Sequence, residues 1–249
     1  MAIKKYDRGE APAVHRWPGG LSWIAHPEEG MTRASHAIAV GEDGVPLADE
    51  RTATVGDADV WLVEPIDVAG LDDLLADLGS VAGVVVLAEL HRRDAAAVAE
   101  RHDVAVYLPD VVGWQARRVD AETRVFDGPL PGTTFEAITV LSGGPWCAAV
   151  LHDPVTGTLV ATEVLVTSSR TTGPGERLAV GPYARLQPPR AELGDLHVER
   201  VLVGHGEPLL SDARAALDHA LSNSVRGILA YLLQDAVFML RAGWVAKRR

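Results

Sequence analysis

Apolar and polar positions alternate with two different periods along the first half of the chain. "ASHAIAV" (34–40) and "DVWLVEP" (59–65) read as strands, and "AGLDDLLADL" (69–78) has the three-and-four spacing of a helix. "AGVVVLAEL" (82–90) is an uninterrupted apolar run of strand length. "RRDAAAVAERH" (92–102) is an alanine-rich helix, and it leads into the strand "VAVYLP" (104–109). This half therefore ends β-α-β-α-β. After the turn-rich "DGPLPGTT", residues 134–141 and "WCAAVLHDPVTGTLVATEVL" (146–165) read as strands, the latter a hairpin turning at Asp153 to Gly157. A Pro- and Gly-rich segment from Thr171 to Pro189 precedes "VERVLVGHGEPLLSDARAALDHAL" (198–221), a short apolar strand running into Gly-His-Gly with a helix expected at once after it. Two halves, each with strands followed by helices, predict an α/β fold: an αββα sandwich of two mixed sheets flanked by helices.

Composition narrows the function classes. The chain has 249 residues, 47% of them apolar, enough for a full buried core. The single Cys147 excludes an internal disulfide and a cysteine-based zinc ribbon. The N-terminal "MAIKKYDRGEAP" has no apolar core of a signal peptide, and the longest apolar stretch near the C-terminus is interrupted by Gln234 and Asp235. The expectation is a cytoplasmic protein without integral membrane association. The formal net charge is −11, and lysine occurs only at positions 4, 5 and 247, so nearly every cation is an arginine. Acidity with scarce lysine is similar to the composition of halophilic proteins, whose carboxylate-rich surfaces keep them in solution at high salt. A net negative surface also argues against nucleic acid as a partner.

"GVVVLAELHRRDAAAVAERHDVAVYLP" followed by "VATEVL" and "VLVGHGEPL" resembles the metallo-β-lactamase superfamily of metal-dependent hydrolases. The resemblance implies an H-x-H-x-D-H loop opening the second helix. Asp94 falls on its aspartate, whereas the histidine positions read Leu90, Arg92 and Ala95, and His91 stands one residue out of register. The next histidine position is taken by Gly144. Glu163 occupies the acidic position after the hairpin, and His205 is intact. The resemblance therefore implies a metal set reduced to Asp94, Glu163 and His205, with His91, Arg92 and Gly144 as neighbours of a vestigial site. Arg92 would repel an ion and is expected to pair with Asp94 or Glu163 instead.

Each residue also has a purely structural reading. His205 would complete a tight strand-to-helix turn, Asp94 would cap its helix, and Glu163 and His152 would lie on the hairpin surface. His91 would be a solvated loop residue, and Cys147 a small buried one. The loop 171–189 would overhang the site with Arg177 and Arg185. Residues 225–249 are expected to form a C-terminal amphipathic helix, with Val225, Ile228, Leu229, Leu232, Ala236 and Leu240 on one stripe, set apart from a metallo-β-lactamase-like domain over 1–224 and packed on it or on a partner.

The leading expectation is a non-catalytic or weakly active relative of these hydrolases, without a cofactor and with a small-molecule ligand or a second copy as partner. One alternative is a hydrolase with a mononuclear zinc or other divalent-metal site. The other is an interaction protein working through its C-terminal helix.

Overall fold

The computed structural model describes residues 12–47, 58–143, 146–225 and 228. Strands β1 (Ala13–Trp17), β2 (Gly20–Ile24), β3 (Ala34–Val40) and β4 (Ala58–Val63) run antiparallel, each to the next. Helix α1 (Leu71–Ala76) then crosses to β5 (Gly79–Val85), and α2 (Ala95–Arg101) crosses to β6 (Val106–Pro109). A 3-10 segment, Asp110–Arg118, leads to β7 (Thr123–Phe126), and β4 to β7 are parallel. The result is one seven-stranded mixed sheet in sequential order.

The second half builds a four-stranded sheet from β8 (Glu136–Leu141), β9 (Ala148–Asp153), β10 (Thr158–Val160) and, beyond a two-stranded ribbon of β11 (Leu165–Val166) with β12 (Ala179–Val180), β13 (Arg200–Leu202). Helices α3 (Arg190–Leu193) and α4 (Ala213–Asn223) complete the fold.

Alternation along the central strands shows why they read as continuous apolar runs. In β4, Val60 and Leu62 face helices α1 and α2, whereas Trp61 and Val63 face the second sheet. Val84 and Val85 divide in the same way in β5, and Val106 and Tyr107 in β6. From the second sheet, Leu151, Val160 and Leu202 meet that inner layer, while Val150, Leu159 and Val201 face α4. A strand covered on both faces needs apolar residues at every position. The layers are α, β, β, α, as expected from the sequence.

Several sequence expectations shift. The β1–β2 hairpin was not anticipated; its turn uses Gly19 at φ 83°, where an added Cβ would strike the carbonyl of Leu47. The strand read over 82–90 ends at Val85, and the chain leaves the sheet through a turn closed by the His91 N–H on Ala88 O at 3.1 Å. Helix α4 does not follow Gly-His-Gly at once, because Leu209 first pairs back onto Val201. Gly144 and nearly all of the predicted C-terminal helix lie outside the described residues. Among the described residues no helix is long and apolar enough to cross a membrane.

His36, completely buried on β3, links the first sheet to the chain just beyond β13. Its Nδ1 shares a 2.7 Å hydrogen bond with Ser22 Oγ, and its Nε2 lies 3.0 Å from Val203 O. Burial, assisted by the Arg93 charge and opposed by the Val203 carbonyl and Glu64, lowers its pKa to about 4. The unfolded chain, with an ordinary value of 6.5, therefore takes up a proton first as the pH falls. His36 stabilises the fold fully above about pH 6.5, and that contribution is lost towards pH 4. Relative to His36→Gln, the wild type is expected to lose about 3 kcal/mol of unfolding free energy between about pH 7 and pH 4. Paired urea titrations across that range measure it, and parallel pH profiles would show that His36 is not the group responsible.

Candidate metal centre

Four loops at one edge of the sandwich bring the polar residues together. Glu64 follows β4, His91 follows β5, Thr162 and Glu163 follow β10, and His205 follows β13. Placement at the carboxyl ends of parallel strands is the usual position for ligand chemistry in such sheets.

Glu64 is completely buried and adopts φ 49°, which side chains other than glycine rarely take. Its neighbours over-determine this conformation. The Glu64 N–H donates to Val85 O at 2.9 Å, and its carbonyl accepts from Ser35 Oγ at 2.8 Å and from Arg93 at 3.0 Å. Its carboxylate accepts from the Leu87 N–H at 3.1 Å and the Thr162 hydroxyl at 2.8 Å, and its other oxygen lies 2.5 Å from His91 Nδ1. Burial opposes ionisation, but the charge and hydrogen bond of His91, then Arg93 and Thr162, bring the Glu64 pKa below the ordinary carboxylate value.

His91 is 5% exposed and points inward. Burial and Arg93 work against its charged form, yet Glu64 and Glu163 outweigh them and raise its pKa. Its Nε2 lies 2.7 Å from Glu163 Oε2 and 3.1 Å from His205 Nε2. His205 is the opposite case: burial first, then the charges of His91 and Arg93, lower its pKa to about 3. One proton arrangement satisfies every contact. His91 as an imidazolium donates from Nδ1 to Glu64 and from Nε2 towards Glu163 and His205. Neutral His205 donates from Nδ1 to Met31 O at 3.0 Å and offers the lone pair of Nε2.

The local sequence around His205 is dictated by this crowding. A Cβ on Gly204 would come 2.3 Å from Thr162 O and 2.9 Å from the His91 ring, and Gly206 sits at φ 104° against Thr167. Arg93, itself at φ 46°, clamps the strand ends from below by donating to the carbonyls of Ala34, Glu64 and Gly204. The bridge from Arg33 to His205 and the Ala34 N–H on Gly204 O at 2.9 Å complete the junction of the two sheets.

The His91, Glu163 and His205 donor atoms all lie within 4.8 Å of one another. Ligand atoms around one ion stand about 3–3.5 Å apart when each bond is about 2.0–2.1 Å. Each imidazole also has its remote nitrogen fixed from behind, by Glu64 for His91 and by Met31 O for His205, which is the support that metal-binding histidines require. The donor set fits a single divalent ion of borderline character, such as zinc or iron.

No protein-family model and no curated protein sequence matches the chain. Solved structures do. The DIM-1 metallo-β-lactamase superposes with a TM-score of 0.57 at 14% identity, over 86% of this chain and 97% of that one. FIM-1 from Pseudomonas aeruginosa, solved in a mono-zinc form, gives 0.57 at 11% identity over 88% and 98%. A flavo di-iron protein mutant from Thermotoga maritima gives 0.55 at 12% over 86% and 63%. The chain has the metallo-β-lactamase fold.

Within the metallo-β-lactamase fold, the residues singled out in the sequence are distributed as follows. Glu163 and His205 converge. Asp94 is not in their group: it stands at the head of α2, where its carboxylate accepts the Asp67 N–H at 2.9 Å and does not cap the helix's own amides. His91 takes the third place, a correction to its reading as a solvated loop residue. Arg92 pairs with neither Asp94 nor Glu163 in the hydrogen bonds and ion pairs described; it donates to Arg118 O at 3.2 Å. His152 is buried, not a surface residue, with Nε2 2.8 Å from His197 O. Cys147 is partly buried against the first helical layer. Arg185 is buried in a 2.9 Å pair with Glu176, and Arg177 reaches Asp212 at 3.2 Å. Glu64 and Arg93 were missed. The available signal for Glu64 was an acidic residue ending an otherwise apolar strand, between Val63 and Pro65.

Proposed function

We propose that the protein is a metal-dependent hydrolase with a mononuclear site, in which His91, Glu163 and His205 hold one divalent ion. The convergence of these three donor atoms, with both imidazoles braced from behind, is the observation that carries this reading. FIM-1, a protein of the same fold, has been solved in a mono-zinc form, which is in keeping with a single ion on such a scaffold.

When bound, the ion would supply Lewis acidity and a water of lowered pKa. The chain's own contribution is positional. Glu64 keeps the His91 proton on Nδ1, so that Nε2 is the ligand atom. Met31 O does the same for His205. Thr162 and Leu87 hold the Glu64 carboxylate in place through its other oxygen. Glu163 has a side chain 12% exposed against 6% for His91.

The reading opposed to this one is a degenerate, non-catalytic protein. It rests on the absence of the H-x-H-x-D-H histidines, and the inward turn of His91 supplies a replacement imidazole from a different register. Protein purified without chelator or affinity metal is expected to carry close to one zinc, manganese or iron ion per chain by elemental analysis, and to hydrolyse a carboxylic or phosphoric ester in proportion to its metal content. Protein that stays metal-free after dialysis against excess zinc would overturn the proposal.

A further inference from the structure

The serine- and threonine-rich stretch from Thr167 to Thr172 runs past His205 without contributing a donor to the centre. Ser168 is its hub. The Thr167 and Ser168 N–H groups donate to His205 O at 3.0 and 3.1 Å. The Ser168 hydroxyl donates to Gly30 O at 3.3 Å, one residue before Met31, whose carbonyl accepts from His205 Nδ1. One turn thus holds His205 twice, directly at its backbone and, through residues 30 and 31, at its ring.

The turn is in turn held from behind. Thr171 and Thr172 are buried, and each donates both its N–H and its hydroxyl to Ser168 O, at 2.9 and 3.1 Å and at 3.0 and 3.1 Å. The Thr171 carbonyl accepts from Arg185 at 2.8 Å. Arg185 also donates to the two carboxylate oxygens of Glu176 at 2.9 and 3.3 Å, and Glu176 accepts the Gly173 N–H at 2.6 Å. Ser224, at the end of α4, donates to Arg185 O at 2.7 Å. Contacts therefore run without a break from α4 through Arg185, Thr171 and Ser168 to His205.

A buried ion pair is a poor source of net stability, because desolvation offsets most of the attraction. What it fixes is direction, since a guanidinium and a carboxylate meet in a narrow range of geometries. The Glu176 and Arg185 side chains are 7% and 2% exposed, so this constraint is not relaxed by water. Between β11 and α3 only Ala179 and Val180 belong to a strand, and the rest of the segment depends on such anchors for its shape.

We propose that Glu176 and Arg185 are positioning residues for His205: the buried pair locks the turn from Ser168 to Thr172, and the turn sets the direction of the imidazole. The inference rests on the metal-centre reading for what His205 does once placed. The placement itself is a property of the metal-free chain.

The first arm of the test follows the His205 Nδ1–H that donates to Met31 O, as a ring N–H resonance of the metal-free full chain, identified by its loss in His205→Ala. Glu176→Gln keeps the size of the side chain and an acceptor oxygen but removes the charge. It should speed exchange of that proton with water about tenfold or more, with a smaller effect in Arg185→Lys, which retains a cation. Val98→Ala, a buried substitution between α2 and the seven-stranded sheet, controls for a general loss of stability and should leave the exchange unchanged. A His205 proton unaffected by Glu176→Gln, or equally affected by Val98→Ala, overturns the proposal.

The second arm measures zinc affinity by calorimetric titration below the melting range of each variant. Glu176→Gln should weaken zinc binding about tenfold or more and alter the visible absorption of the cobalt-loaded chain, while Val98→Ala changes neither. Zinc affinity unchanged in Glu176→Gln also overturns the proposal. A wild-type chain that takes up no zinc, but whose His205 proton is released by Glu176→Gln, would remove the metal centre and leave the positioning role standing.

Discussion

Replacing His205 by alanine is expected to abolish stoichiometric metal binding and, with it, the thermal stabilisation that added zinc confers. At a free zinc concentration about 100 times the dissociation constant, a site present only in the folded state raises stability by about 2.7 kcal/mol. For a chain of this size that corresponds to roughly 5–10 °C in melting temperature. His205→Ala leaves only His91 and Glu163, and affinity should fall by more than about 100-fold, beyond what loss of a supporting residue causes. The variant's melting temperature should therefore not respond to zinc at the concentration that shifts the wild type. Glu163→Gln should behave similarly, whereas Asp94→Asn, outside the donor group, should keep the full zinc response. A zinc-dependent shift retained in His205→Ala and lost in Asp94→Asn would reassign the ligands.

Glu64 separates positioning from folding. Glu64→Ala removes the acceptor for the Leu87 amide, the Thr162 hydroxyl and His91 together, in a place without exposure to water. Breaking a buried charged pair by deleting one member costs about 3–5 kcal/mol, so the melting temperature should fall by about 10 °C. Glu64→Gln is the more informative change. Its amide oxygen can still accept from Leu87 and Thr162, but its NH2 then faces His91 Nδ1 and forces that nitrogen to be the acceptor. The His91 proton moves to Nε2, the nitrogen needed for the ion. Stability should be largely kept while zinc affinity falls about 10- to 100-fold. Calorimetric zinc titrations alongside thermal melts distinguish the two effects. Unchanged zinc affinity in Glu64→Gln would show that Glu64 does not set the His91 tautomer.

The layering was legible because burial on both faces leaves a simple trace. Val60 to Val63, Val84 to Leu87 and Val150 to Leu151 are apolar without interruption because helices cover one face of each sheet and the other sheet covers the second. The β1–β2 hairpin escaped notice because Pro18, Gly19 and Gly20 interrupt the pattern with turn chemistry, and His15 and Arg16 stand within its first strand.

The centre was only half legible. Glu163 and His205 follow strands whose register can be counted, so their direction could be counted too. His91 and Asp94 lie beyond the end of β5, where the turn at Ala88 and the left-handed backbone at Arg93 rotate the chain out of strand register. That rotation leaves Leu90 outside, turns His91 in, and directs Asp94 to Asp67. A period-two or motif-based count has no means of anticipating it. The role of Glu64 was hidden for another reason: its partner His91 is 27 positions away, and only the parallel pairing of β4 with β5 brings them together.

The centre also draws one contributor after another from opposite halves of the chain. Glu64 and His91 belong to the seven-stranded sheet, and Glu163 and His205 to the four-stranded one, with His91 and His205 separated by 114 positions. An ion held as proposed would be a reversible cross-link, closing a long loop much as a disulfide would in a chain that has one cysteine and can form none. Metal supply would then govern how firmly the two halves stay docked as well as whether the centre can act.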